Sequence, residues 1–285
     1  MPNSRPEPVS ACRSHIEGAL ALSREAGWPH TRDDWSFFLA LSRGLAMLDG
    51  DDVVATTLVT PFGPVATVNM VLVARARRGR GLGRHILEKA MTLADPDEWR
   101  LVATPEGAPL YEKLGFRDAG RIVQHQGIVR PPATPRQDGK PDDARPVAAG
   151  LADLEDFAAA DRMAGSHDRK DLLAACLRKG RALKLVRDSA LSGFVITRPF
   201  GLGEVAGPLV ARDLASARSL LAAVLDTSAG RFLRVDTDAG SGLGDMLEEH
   251  GLNPVGGGTR MVLNRHPLVT SRDFSTFALA AQAFG

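Results

Sequence analysis

Residues 78–84 read Arg-Gly-Arg-Gly-Leu-Gly-Arg and have the make-up of an anion cradle. Glycines at 79, 81 and 83 let the backbone turn tightly and approach a ligand with no Cβ in the way. The loop stands between an apolar strand-like segment, 67–73, and an amphipathic helical one that begins at Gly83. The unpaired N–H groups and positive dipole end of that helix would converge on the same point as Arg77, Arg78 and Arg80. Phosphate binding is the chemistry this arrangement supports; a merely polar surface loop is the other reading. Two phosphate motifs fail on the letters. A nucleotide P-loop needs Lys and then Ser or Thr after its last glycine, whereas Arg84-His85 follow here. A dinucleotide fingerprint spaces its glycines G-x-G-x-x-G, whereas these run G-x-G-x-G.

The elements that must position this loop follow from periodicity and turn residues. Helices are predicted over 10–26 and 33–41, then a turn at Asp49-Gly50, strands over 53–60 and 67–73, and a helix over 83–93. That helix would turn Ile86, Leu87, Ala90 and Leu93 inward. A strand over 99–103 and a short helix over 108–114 ending at Gly115 complete the series. Residues 130–146, with five prolines among charged residues, break all periodicity and read as a linker. The same order then recurs: helices near 151–160 and 169–177, strands near 183–186, 192–197 and 205–210, a helix at 214–225, a strand at 232–235, and a helix ending at His250. Leu72-Val73-Ala74-Arg75 matches Leu209-Val210-Ala211-Arg212, and Leu114-Gly115-Phe116 falls on His250-Gly251-Leu252. The chain therefore reads as a duplication. Residues 1–130 and 147–285 form two halves joined by 131–146, each an α/β sheet covered by helices.

Composition bounds the rest. The 285 residues are 44% hydrophobic and 24% charged, the range of folded soluble domains, and long enough for two of them. Lys and Arg total 35 against 34 Asp and Glu, so no global field draws the chain to nucleic acid or an anionic membrane. Residues 1–8 lack the apolar core of a signal peptide, and no run of eighteen apolar residues follows; a cytoplasmic protein is expected. Cys12 and Cys176 have no partner at metal-ligand spacing, and both are expected to be buried thiols. Nor do His30, His85, His125, His167, His250 and His266 show metal-like spacing, so no metal site is expected.

After the strand at 68–73, Arg78, Gly81 and Gly83 resemble the R-x-x-G-x-G pyrophosphate loop of the GNAT N-acetyltransferase superfamily. Residues 110–116, Leu-Tyr-Glu-Lys-Leu-Gly-Phe, look like the element that closes the acetyl-CoA sites of that family. The stretch 26–35, with Gly27-Trp28 and Asp34-Trp35, is similar to a subgroup in which a second GNAT-like domain follows the first. Asp161-Arg162, Arg198-Pro199, Gly207-Pro208-Leu209 and Arg260-Met261 extend that likeness into the second half. The resemblance implies an α/β fold, an α+β mixed sheet, in two tandem GNAT-like domains. It implies acetyl-CoA as acyl donor, held by Arg78, Gly79, Arg80, Gly81, Leu82, Gly83 and Arg84, with the pantetheine arm along Met70, Val71, Leu72 and Val73. Transfer to a primary amine of a small molecule, by direct attack in a ternary complex, is the implied reaction.

Expulsion of a thiolate calls for a proton donor, and Tyr111, the chain's only tyrosine, is the candidate acid. No base announces itself. Asn69, Glu106 and the pair Asp33 and Asp34 could reach the cleft, Asp33 being better explained as a helix-starting residue. Trp28 and His30 are placed near the acceptor by the resemblance, and Glu106, following the strand at 99–103, is a further candidate contact there. The second half's loop counterpart, 213–217, has neither glycine nor arginine, and Leu247 stands at the place of Tyr111. That half is expected to be degenerate and to complete an acceptor pocket or a dimer surface, with Glu204, Asp236 and Asp238 as conceivable contacts for a cationic acceptor. Pairing into a homodimer through exposed sheet edges is the family's habit. The alternative to catalysis is a non-catalytic acyl-CoA-binding sensor or interaction module.

Overall fold

The computed structural model describes residues 6–131, 144–165, 167–264 and 273–285. Most of the predicted linker, and His266, lie outside the described residues. The first half runs β1 (Val9–Ser10), α1 (Ile16–Glu25), α2 (Arg32–Leu41), β2 (Arg43–Asp49), β3 (Asp52–Phe62), β4 (Val65–Val73), α3 (Leu82–Ala90), β5 (Glu98–Ala103), α4 (Ala108–Lys113) and β6 (Arg117–Ile128). The second runs β7 (Val147–Ala149), α5 (Leu154–Gly165), α6 (Lys170–Lys179), β8 (Arg181–Arg187), β9 (Ala190–Phe200), β10 (Gly203–Ala211), α7 (Leu214–Thr227), β11 (Phe232–Asp238), α8 (Gly244–Glu249), β12 (Asn253–Asn264) and β13 (Ser275–Ala278).

Local chemistry accounts for the element ends nearest the site. Helix α2 starts at a capping box: Thr31 Oγ1 accepts from the Asp34 N–H at 3.1 Å, and the Asp34 carboxylate accepts from the Thr31 N–H at 2.8 Å. Asp33 therefore lies in the first turn rather than at the cap. Helix α4 stops where Gly115 takes φ +90, and its counterpart α8 stops at Gly251 with φ +81, as the paired sequences imply. The helix predicted over 10–26 begins later, because the segment before Ile16 forms β1 and a 3-10 turn. Cys12 in that segment is exposed, correcting the expectation of a buried thiol, while Cys176 is buried.

The thirteen strands of the described residues form one sheet in the order β1-β2-β3-β4-β5-β12-β6-β11-β13-β10-β9-β8-β7. Two separate sheets were the expectation; instead the halves trade their long strands. β12 of the second half pairs with β5, Met261 opposite Leu101, and β6 of the first half pairs with β11, Val235 opposite His125. The traded strands also pair with each other in the middle. Three apolar clusters hold the layers. Ile86 and Leu87 of α3 share one cluster with Trp99 and Val59, and Leu220 and Leu221 of α7 share another with Val235 and Leu209. The third cluster belongs to both halves: Trp35 and Phe38 of α2, Phe157 and Phe194 of the second half, and Phe284 beyond β13. Each such side chain contributes about 1.5–3 kcal/mol by leaving water, so this shared core fixes one half on the other.

Candidate functional site

The site grows from a fork in the sheet. Strands β4 and β5 pair in parallel only where Val65, Ala66 and Thr67 meet Glu98, Trp99 and Arg100. Beyond Thr67 they separate, leaving the β5-side edge of 68–73 without a strand partner among the described residues. β4 also carries one extra residue against β3: Asn69 faces Leu58 and Leu72 faces Thr56. Within this bulge Met70 takes φ +50, a conformation costly for a side-chain-bearing residue, and its carbonyl accepts from Thr56 Oγ1 at 2.8 Å. A bulge at the mouth of a fork presents backbone polar groups that the ladder does not use.

A cleft of about 650 Å³ fills the fork. Of the residues singled out in the sequence, Trp28, Asn69, Met70, Val71, Leu72, Val73, Arg78, Gly79, Gly81, Leu82, Gly83, Arg84, Glu106 and Tyr111 line it. Arg77 lines it as well, whereas Arg80, His30, Asp33 and Asp34 do not. Glu25, Arg75 and Thr104 also line it and carry no motif that would have exposed them. At one end, Gly79 and Gly81 both take φ +75, and Gly81 is the residue capping α3. The first-turn N–H groups of α3 have no carbonyl within the helix and open onto the cleft. The Arg78 guanidinium donates to the Val73 carbonyl at 3.1 Å, holding the loop to the end of β4. Arg84 pairs with Glu88 at 2.7 Å one turn on, and Arg77 pairs with Asp49.

Tyr111 stands on α4, only 8% exposed, its ring edge-on to Phe116. Burial raises its phenol above the usual value, so the hydroxyl keeps its proton at any working pH. Asn69 is 6% exposed; its Nδ2 donates to Thr60 Oγ1 at 2.9 Å, while Oδ1 is buried with no hydrogen-bond partner among the described residues. A lone buried acceptor costs about 1–3 kcal/mol, and of the described buried side-chain atoms left without a partner, this oxygen belongs to the residue that lines the cleft.

His30 belongs to the scaffold. Its ring packs edge-on to Trp28, Phe38 and Phe200, and burial, the largest cause, lowers its pKa to about 4, aided by Arg234 and opposed by Asp34. The start of α2 is gripped there by the second half, since the Gly201 N–H donates to the Asp34 carboxylate at 3.1 Å. The second-half carboxylates proposed for a cationic acceptor already have cations. Glu204 pairs with Arg181 and Arg231, Asp236 with Arg234, and Asp238 with Arg260. No helix among the described residues is long and apolar enough to cross a membrane.

Residues 34–118 match a family model described as an acetyltransferase (GNAT) domain, and residues 158–274 match a second so described. The chain is 28% identical over 211 residues to the uncharacterized N-acetyltransferase YitH of Bacillus subtilis (strain 168), spanning 72% of this chain and 73% of that protein. Its fold is similar to a crystal structure from Pyrococcus horikoshii, proposed to be an acetyltransferase, with TM-score 0.81 and 19% identity over 100% of this chain and 98% of that one. A tandem GNAT protein from the clavulanic acid biosynthesis pathway matches with TM-score 0.65 and 17% identity over 92% and 99% of the two chains.

Proposed function

From the premise that the chain belongs to the GNAT acetyltransferase family, with two such domains in tandem, we propose that its first half transfers an acetyl group from acetyl-CoA to the primary amine of a small molecule. The observation that carries this reading is the open edge of residues 68–73 leading to the glycine-arginine loop at the start of α3. That edge offers backbone hydrogen bonds to an amide-bearing arm, and the loop offers N–H groups and arginines to its pyrophosphate.

In the reaction the amine nitrogen attacks the thioester carbon, the C–S bond breaks, the sulfur gains a proton, and the nitrogen loses one. Tyr111 supplies the hydroxyl for the sulfur. Its pKa, raised above that of any thiol, makes transfer of its own proton to the sulfur unfavourable, so it acts by donating a hydrogen bond that strengthens as charge develops, and the thiolate takes its proton from water. Asn69 cannot accept a proton at neutral pH; its unpartnered Oδ1 orients the attacking N–H. The proton lost by nitrogen goes to water, and Glu106 on the rim of the cleft is the carboxylate placed to attract a cationic acceptor.

Release of CoA thiol with acetyl-CoA and a panel of small amines tests the reading. Tyr111→Phe should lower kcat about 10- to 100-fold while leaving acetyl-CoA affinity within about twofold, since only the hydroxyl is lost. An unchanged kcat removes Tyr111 from the mechanism; acetyl-CoA binding with no transfer to any amine makes the chain a sensor.

A further inference from the structure

The second half has the same fork, and it is full. Strands β10 and β11 pair in parallel only where Glu204 and Val205 meet Leu233 and Arg234, then part as β4 and β5 do. Into the gap runs β13, antiparallel to β10, with Ala278 opposite Leu209, Thr276 opposite Val210 and Ser275 opposite Ala211. On its other side Ala278 faces Thr237 of β11, and the Leu279 N–H donates to the Asp236 carbonyl at 2.8 Å. We infer that β13 stands in the acyl-CoA slot of the second half as its built-in occupant, so that the full chain takes up one acyl-CoA, in the first half alone. This rests on the first-half reading given above.

The residues around the slot agree position by position. β10 bulges against β9 between Ala206 and Leu209, so Gly207 and Pro208 correspond to Met70 and Val71. A Cβ on Gly207 would lie 1.9 Å from the Leu279 carbonyl oxygen, a contact with backbone that no side-chain rotation relieves. The glycine is thus fitted to the passing strand, where the first half carries methionine. Pro208 has no N–H, so the bulge has one donor fewer to offer a ligand than the bulge at Val71. Ala206 replaces Asn69 and its unpartnered oxygen. At the phosphate end, Asp213 caps α7, its carboxylate accepting from the Ser216 N–H at 2.7 Å and occupying the helix start that an anion would need. Beyond β13 the chain is fastened as it leaves the slot. Arg198 donates to the Ala280 carbonyl at 3.0 Å, Gln282 to the Asp236 carboxylate at 3.1 Å, and Phe284 packs against Phe38 and Phe62.

Hydrogen exchange on the full chain with and without acetyl-CoA, beside calorimetric titration with acetyl-CoA, tests the inference. Without ligand, the amides of β13 and of residues 209–211 should exchange at least tenfold more slowly than those amides of 68–73 that do not bond to β3. Acetyl-CoA should slow the latter tenfold or more and leave the former unchanged, with one molecule bound per chain and none to Gly81→Asp. In Gly207→Ala, β13 should lose its protection while the response of 68–73 to acetyl-CoA persists. Two molecules bound, or acetyl-CoA-dependent slowing at 209–211, overturns the inference and leaves the first-half reading intact. No binding at all overturns that reading, and fast exchange of β13 in the ligand-free chain then decides against the inference independently.

Discussion

The two halves contain a natural experiment at the start of their third helices, and Gly81→Asp transfers its outcome from one to the other. Gly81 caps α3 with φ +75, and Asp213 caps α7 with an extended backbone at φ −149. An aspartate at 81 has two effects on the ligand-free chain. It strains a left-handed position by about 1–2 kcal/mol, less for Asp than for most residues, and as an N-cap it returns only a few tenths. The net cost of about 1 kcal/mol lowers Tm by about 2–4 °C in a chain of this size. Its effect on ligand binding is larger, because the carboxylate places negative charge where the pyrophosphate would sit. Acetyl-CoA at a hundred times its Kd stabilises the native chain by about 2.7 kcal/mol, an upward Tm shift of about 5–11 °C. The variant should show a cooperative melt slightly below the native one and no shift with acetyl-CoA, read by differential scanning fluorimetry over a titration. A variant that melts cooperatively and shifts as far as the native chain would refute placement of the ligand on this loop.

Further outcomes follow from buried charge. His30 is held neutral by its aromatic surroundings, its pKa lowered from 6.5 to about 4, so the unfolded chain binds the extra proton between those values. Stability should fall as pH drops through this window, by about 1–2 kcal/mol between pH 7.5 and pH 5; urea denaturation at the two pH values should show His30→Asn losing less than the native chain. Asp161 and Arg169 form an ion pair with side chains 1% and 0% exposed, and Arg169 also donates to the Gly285 carbonyl at 2.8 Å. Arg169→Leu strands the carboxylate and should cost about 3–5 kcal/mol in the same assay, whereas a loss under 1 kcal/mol would mean that water reaches Asp161.

What could be read from the chain was whatever is local. Glycine spacing at 79, 81 and 83, the segment closing at Phe116, and the match of residues 72–75 to 209–212 are short patterns, and the bulge registers align Leu72 with Leu209. The strand read only in part, at Arg260-Met261, and the strand β13, not read at all, depend on partners far along the chain. β12 contains Gly256, Gly257 and Gly258, which carry no alternation, and its place between β5 and β6 is decided by contacts such as a Gly258 position too close to the Ala103 carbonyl for any Cβ. β13 is four residues long and exists because a fork elsewhere lacks a strand. Asn69 was visible as a polar residue on an apolar strand, but the isolation of its Oδ1 emerges only when Thr60 and Thr67 are brought beside it.

The traded strands also govern how the molecule can be made. Trp99 of β5 meets Leu263 of β12, so the first half's sheet is closed by a segment synthesised some 160 residues later. At about 5–20 residues per second the ribosome needs roughly 8–30 s to supply it. During that interval β5 has an unsatisfied edge, and β6 lacks β11 until residues 232–238 are made and β12 until the interval ends. Pairings so distant in sequence place the chain among slow folders, because loop closure must precede the contacts that reward it. The general expectation that a domain can fold alone does not transfer to this chain: cut between the halves, each piece would carry the other's closing strand and lack its own.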